Sequence, residues 1–324
     1  VLNIPFESQD FPQAYSLGNI GVLNTNWDDI LWSALTVGRP NRAYVFQHSS
    51  ASFYEAVFRC SLVKMAVRQN NPNSLRSFLY RTSAFRTLDP SEKGAINYFL
   101  GLTFCKLFAA SLLNTPWLLH LDVFRSHFDI EMVLHSRSRP DLIGKENNSQ
   151  SDIWHVFECK GRANQPSQDV LDKAKAQAQR LIAVNNNTCT LHIGTITHFR
   201  EDVLNFYWID PEPIDKSPVE LTLTEKDWSY YYEPILGLIT ESTSIDKPIF
   251  DEEGKTIFIP QIDLRIGLHP KIAKSLLNKD YFSTMKAAEN LSKELQAAGY
   301  RPDGLLIKAG ESWRNEVESF KIFY

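Results

Sequence analysis

The sequence predicts a mixed α/β protein, and three of its features carry that prediction. Residues 89–113 are apolar around most of a helix. Residues 117–160 hold short β-branched and aromatic runs. Residues 167–184 return to helical spacing before two more such runs. Helices interleaved with strands around one core define the α/β class.

In chain order, residues 1–50 read as loops and short strands packed on the body, with Trp27 and Trp32 among them. A helix is expected over 52–69, where Phe53, Val57, Leu62, Met65 and Ala66 make an apolar side. A second is expected over 74–86, with Leu75, Phe78 and Leu79 apolar. Its arginines Arg76, Arg81 and Arg86 read as a solvated surface or as phosphate contacts. Asp89, Pro90 and Glu92 supply an N-cap, an N1 proline and a capping box for the helix to about 113, which its apolar circumference places inside the domain. Strands are expected over 117–124 and 130–135, then at 142–143 and 153–157, the last two joined by the polar hairpin 145–150.

Ser167 caps a helix to about 184 that buries Val170, Leu171, Ala174, Ala178, Leu181 and Ile182. Strands at 189–199 and 203–209 follow, with His192 and His198 on one side of the first, read as structural or surface residues. The Asp210-Pro211-Glu212-Pro213 stretch marks a boundary. Beyond it come strands at 220–224 and 257–267 and helices at 271–277 and 281–298; Arg301-Pro302-Asp303-Gly304 reads as a turn. The expected organisation is a partly helical N-terminal segment (1–88), a core (89–210) and an α+β C-terminal segment (211–324).

At 324 residues, 43% hydrophobic and 22% charged, the chain can bury a sizeable core, and its composition is that of a soluble globular protein. The net charge of −4 gives no overall nucleic-acid signature, although residues 1–90 carry a small basic excess. Four scattered cysteines, Cys60, Cys105, Cys159 and Cys189, form no zinc or disulfide pattern and read as buried thiols. The first residues lack a signal-peptide pattern, and the longest apolar run is interrupted by Lys106, so a cytoplasmic location without membrane insertion is expected. Motifs for ATP, dinucleotide, serine-hydrolase or zinc-protease chemistry are absent.

The chemistry concentrates around Arg139-Pro140-Asp141 and Glu158-Cys159-Lys160. Alternation puts Glu158 and Lys160 on one face of their strand and Cys159 on the other, and strand pairing brings Asp141 beside Glu158. Two adjacent carboxylates repel and seek a hard divalent cation, Mg²⁺ or Mn²⁺, with the Cys159 carbonyl as a further oxygen ligand. Such a metal activates water and stabilises a leaving oxygen. A lysine two residues from a ligand can orient or deprotonate the water and offset charge in the transition state.

Pro140-Asp141, sixteen intervening residues and Glu158-Cys159-Lys160 resemble the PD-(D/E)XK signature of restriction-endonuclease-like nucleases. The resemblance covers about residues 89–210 and implies an α-β-β-β-α-β mixed-sheet core. It implies metal held by Asp141, Glu158 and the Cys159 backbone carbonyl, with Lys160 at the attacking water. Some members carry a glutamine on the following helix that reaches the site. Gln177 is the candidate here, ahead of Gln179, and reads equally as a surface amide. Some members also place an acidic ligand on the preceding helix. This chain offers Glu92 there, with Glu131, Asp122 or Glu55 as substitutes. Arg137, Arg139 and Arg162 would contact backbone phosphates.

The expected function is a Mg²⁺- or Mn²⁺-dependent nuclease acting on DNA, an endonuclease in preference to an exonuclease, in defence or mobile-element processing. RNA stays open as the substrate. A homodimer, or a separate motor or recognition subunit, would be its partner. The alternative is a nuclease-like binding or assembly module with little or no catalysis.

Overall fold

The computed structural model describes residues 1–37, 49–70, 77–121, 129–131, 140–148, 150–211, 219–229, 231–233, 235, 237, 250–251 and 254–314. It is mixed α/β. The first half holds β1 (Leu2–Gln9), β2 (Ile20–Thr25), α1 (Trp27–Thr36), α2 (Ser49–Ala66), β3 (Val67–Gln69), β4 (Ser77–Arg81), α3 (Ser83–Thr87), α4 (Pro90–Leu112), β5 (Trp117–His120), β6 (Asp129–Glu131) and β7 (Leu142–Lys145). Next come β8 (Trp154–Arg162), α5 (Gln168–Ala178), β9 (Leu181–Val184), β10 (Asn187–Thr188), β11 (Leu191–Arg200), β12 (Val203–Ile209) and β13 (Val219–Thr222). The C-terminal part adds β14 (Phe250–Asp251), β15 (Gly254–Ile259), β16 (Leu264–Leu268), α6 (Pro270–Leu277), α7 (Tyr281–Asn290), α8 (Ser292–Ala297) and β17 (Leu305–Ala309).

A main sheet runs β2-β1-β4-β12-β11-β8-β7-β5, with β3 beside β4. Strands β5, β7 and β8 form an antiparallel meander, and β11 joins β8 in parallel after the α5 crossover. Because β1 pairs in parallel with β12 and β12 meets β4, the sheet takes strands from both sides of residue 88. A second sheet runs β10-β9-β13-β6 and a third β14-β15-β16-β17.

Helix α4 starts as its sequence predicts. The Asp89 carboxylate accepts from Ser91 N at 2.7 Å and Glu92 N at 3.2 Å, and Glu92 returns the capping-box bond. It is apolar and long enough to cross a membrane by composition, but 72% of its apolar window is buried inside the protein, against the sheet. The approach is close: a Cβ on Gly161 would stand 1.7 Å from the Asn97 carbonyl oxygen, and one on Gly101 would stand 3.0 Å from the Lys160 carbonyl carbon. Gly161→Ala is therefore expected to destabilise by about 3 kcal/mol or more, read as a fall in melting temperature, because helix backbone cannot yield as a side chain would.

Several expectations are corrected. Residues 1–37 are more than loops and short strands packed on the body: β1 enters the main sheet, and Asn26 caps α1 by accepting from Asp29 N at 2.9 Å. Residues expected in a 74–86 helix include strand β4, where Ser77 and Leu79 point inward; pairing with β3 and β1 overrides helical spacing. The 167–184 helix stops at Ala178, because Leu181–Val184 pair with β13 and β10. Strand β6 pairs with β13 outside the main sheet, and the rest of the 130–135 strand lies outside the described residues. The 257–267 strand is two strands bent at Pro260–Ile262, and the 281–298 helix divides at Leu291. The Arg301–Gly304 turn and the four free, buried cysteines are as expected.

Candidate active site

Strand β8 carries the site, and its neighbours fix both of its faces. Cys159 and Gly161 face α4, where the Cys159 thiol meets Cys105. Glu158 and Lys160 point to the opposite face. There Gly194 pairs in register with Glu158 and has no Cβ because Ala174 of α5 presses on it, at 3.1 Å from where a Cβ would stand. Strand β8 is thus clamped between α4 and α5.

Asp141 lies just before β7. The β7–β8 register pairs Leu142 with Phe157, so Asp141 comes opposite Glu158, as the sequence predicts. One further step puts Pro140 opposite Cys159. In that geometry a non-proline residue would donate its N–H to the Cys159 carbonyl; Pro140 has none. The Cys159 N–H turns to Asp141 Oδ2 instead, at 2.8 Å. A residue's N–H and C=O point to the same side of a strand, so the Cys159 carbonyl is aimed at the Asp141 edge. Pro140 therefore donates no N–H to this backbone oxygen beside two carboxylates.

Glu158 is 1% exposed. The Lys160 ammonium bonds its Oε1, while Oε2 has no hydrogen-bond partner. Burial and the Asp141 carboxylate, against the pull of Lys160, push the Glu158 carboxyl up to about 8. The Thr195 hydroxyl donates to the Glu158 carbonyl at 3.1 Å and ties the strand to β11. That tie depends on the parallel register of two strands separated by a helix, which the sequence does not display.

Gln177 sits half-buried on α5, one turn beyond Ala174 and on the face of the sheet that Glu158 occupies; Gln179 is buried near the helix end. Arg162 is exposed and donates through Nη1 to the Gly161 carbonyl at 2.8 Å. Arg137, Arg139 and Asp122 lie outside the described residues, as does the side chain of Glu131. Glu92 is occupied in its capping box and Glu55 in an ion pair with Arg59 at 2.8 Å, so neither completes the site. Among the described residues no cluster of three or more His, Cys, Asp or Glu side chains is set to hold a metal. What the site offers is two carboxylates and one carbonyl. The orphaned Glu158 Oε2 and the all-oxygen donor set fit a hard cation that keeps several waters, as Mg²⁺ does.

No family model, curated protein or solved structure matches the chain.

Proposed function

We propose that this chain is a metal-dependent nuclease that hydrolyses phosphodiester bonds in DNA, as an endonuclease. The single observation behind it is the Asp141–Glu158 pair, with Lys160 on one Glu158 oxygen and the other oxygen unpartnered. The order of α4, the β5-β7-β8 meander, α5 and a β11 parallel to β8 supports the restriction-endonuclease-like reading of the core. Defence or mobile-element processing is the setting we favour, with a second copy or a separate motor or recognition subunit as partner.

Asp141, Glu158 and the Cys159 carbonyl would hold Mg²⁺ or Mn²⁺. Bound there, the ion supplies Lewis-acid activation of the phosphoryl group and of water. Lys160, released from Glu158 when that carboxylate turns to a cation, donates hydrogen bonds toward the attacking water and the phosphoryl oxygens. Gln177 orients the water from α5. Arg162, with Arg137 and Arg139, holds backbone phosphates without reading sequence.

A second reading, a nuclease-like binding or assembly module with little catalysis, is favoured by the want of a third acidic side chain among the described residues. Mn²⁺ titration calorimetry separates the two. The nuclease reading expects binding that Asp141→Asn and Glu158→Gln abolish; absent binding, or binding indifferent to both, supports the module. Lys160→Ala should still bind Mn²⁺ while cleavage falls by about a hundredfold or more.

A further inference from the structure

The face of the main sheet that bears Glu158 and Lys160 also holds His198 and Arg200, which have no role so far. In the β8–β11 register Ile196 pairs with Lys160 and His198 with Arg162, and Arg200 follows two residues after His198. Residues in register share a face, as do alternate residues of one strand, so Lys160, Arg162, His198 and Arg200 stand together. Arg162 and Arg200 are exposed. His198 is 8% exposed, and its Nδ1 makes no hydrogen bond. A buried polar nitrogen without a partner is costly and calls for one.

The surroundings give this face a direction. Across β12 it continues through Asn205, opposite His198, and Tyr207, opposite Ile196. Tyr207 lies among Asp10, Glu7 and Asp172, which together with burial push its phenol up to about 12. The face is therefore acidic toward β1 and basic toward the C-terminal ends of β8 and β11. Near that basic end Glu201 is exposed, while Asp202 is engaged by Arg81 and Arg86.

We propose that Arg162, His198 and Arg200 form a phosphate-binding row along which the DNA strand leaves the Asp141–Glu158 pair; this deepens the nuclease reading and rests on it. Alternate residues of a strand repeat every ~6.7 Å, which suits an extended polyanion. Arg162 and Arg200 supply charge in solvent. His198 supplies a buried nitrogen that fixes one phosphate in place. Glu7, Asp10 and Asp172 repel the backbone at the other end, so the strand has one exit.

The test is the salt dependence of binding of a fluorescent single-stranded DNA oligonucleotide, and of a duplex of equal length, to the full chain without divalent metal. Arg200→Ala changes an exposed residue and leaves the fold intact. It is expected to weaken binding of at least one DNA form about fivefold or more and to flatten the log–log salt slope by about 1. His198→Gln should weaken the same form. Unchanged affinity and slope in both Arg162→Ala and Arg200→Ala would overturn the row. A wild type that never cuts DNA, yet loses binding in these variants, removes the nuclease reading and leaves the row as a DNA-binding surface. A wild type that cuts with metal, with Arg162→Ala and Arg200→Ala proteins that both bind and cut equally well, removes the row and leaves the nuclease.

Discussion

Glu158→Gln is expected to lose metal-dependent cleavage by about a thousandfold or more and yet, without metal, to be more stable than the wild type at alkaline pH. The first effect follows from removing one of the two carboxylates proposed to hold the metal. The second follows from burial, which with Asp141 raises the Glu158 carboxyl from 4.5 to about 8 in the fold. Between those values the native protein binds a proton that the unfolded chain has released. The Glu158 contribution to wild-type stability is therefore full below about pH 4.5, falls as pH rises, and is lost above about pH 8. The size is on the order of a few kcal/mol. Glutamine has no such proton to lose. Thermal melts in EDTA at about pH 5 and pH 8.5 should show the variant gaining on the wild type as pH rises. Parallel curves would mean that Glu158 is ionised in the metal-free fold. By the same linkage, the proposed Mn²⁺ binding at Glu158 is expected to release protons near neutral pH and to tighten as pH rises toward 8.

Asp303→Ala carries the largest expected loss of stability. Asp303 is fully buried and accepts from Trp32 Nε1 and the Tyr231 hydroxyl, both at 2.7 Å, and from Leu305 N at 3.0 Å. The Tyr231 oxygen in turn accepts from Lys106 at 2.8 Å. Lys106 stands 4.5 Å from the ring centres of both Trp32 and Tyr231. Burial pushes the Lys106 ammonium down to about 7, and Asp303 opposes that fall. Removing the carboxylate strands three donors and takes the counter-charge from a buried lysine on α4. The cost should be about 3–5 kcal/mol, read as a lower urea midpoint. Asp303→Asn, which keeps an acceptor, should lose less. A loss below about 1 kcal/mol in Asp303→Ala would mean that this network does not join the C-terminal turn to the core.

The juxtaposition of Asp141, Glu158 and Lys160 was legible because its parts are local. Alternation along 154–162 separates Glu158 and Lys160 from Cys159 whatever the rest of the chain does, and one hairpin brings Asp141 alongside. The capping box of α4 was legible for the same reason. What the sequence hid depends on distant partners. Ser77–Arg81 carries apolar residues that suit a helix, and only its place between β3 and β1 makes it a strand. Leu181–Val184 continues the spacing of α5 and becomes a strand because β13 and β10 await it. Within Arg301–Gly304 the turn was readable, but Asp303 as a buried hub was not, since Trp32 lies 271 residues away. Glu92, the acidic residue that α4 offers, is used by its own helix start.

Incubation of the full chain with supercoiled plasmid in Mg²⁺, Mn²⁺ or EDTA, beside Asp141→Asn and Glu158→Gln, tests the central claim most directly. The account predicts nicked or linear product that requires metal and disappears in both variants. Intact plasmid with either metal, or cutting that persists in EDTA or in both variants, would contradict it.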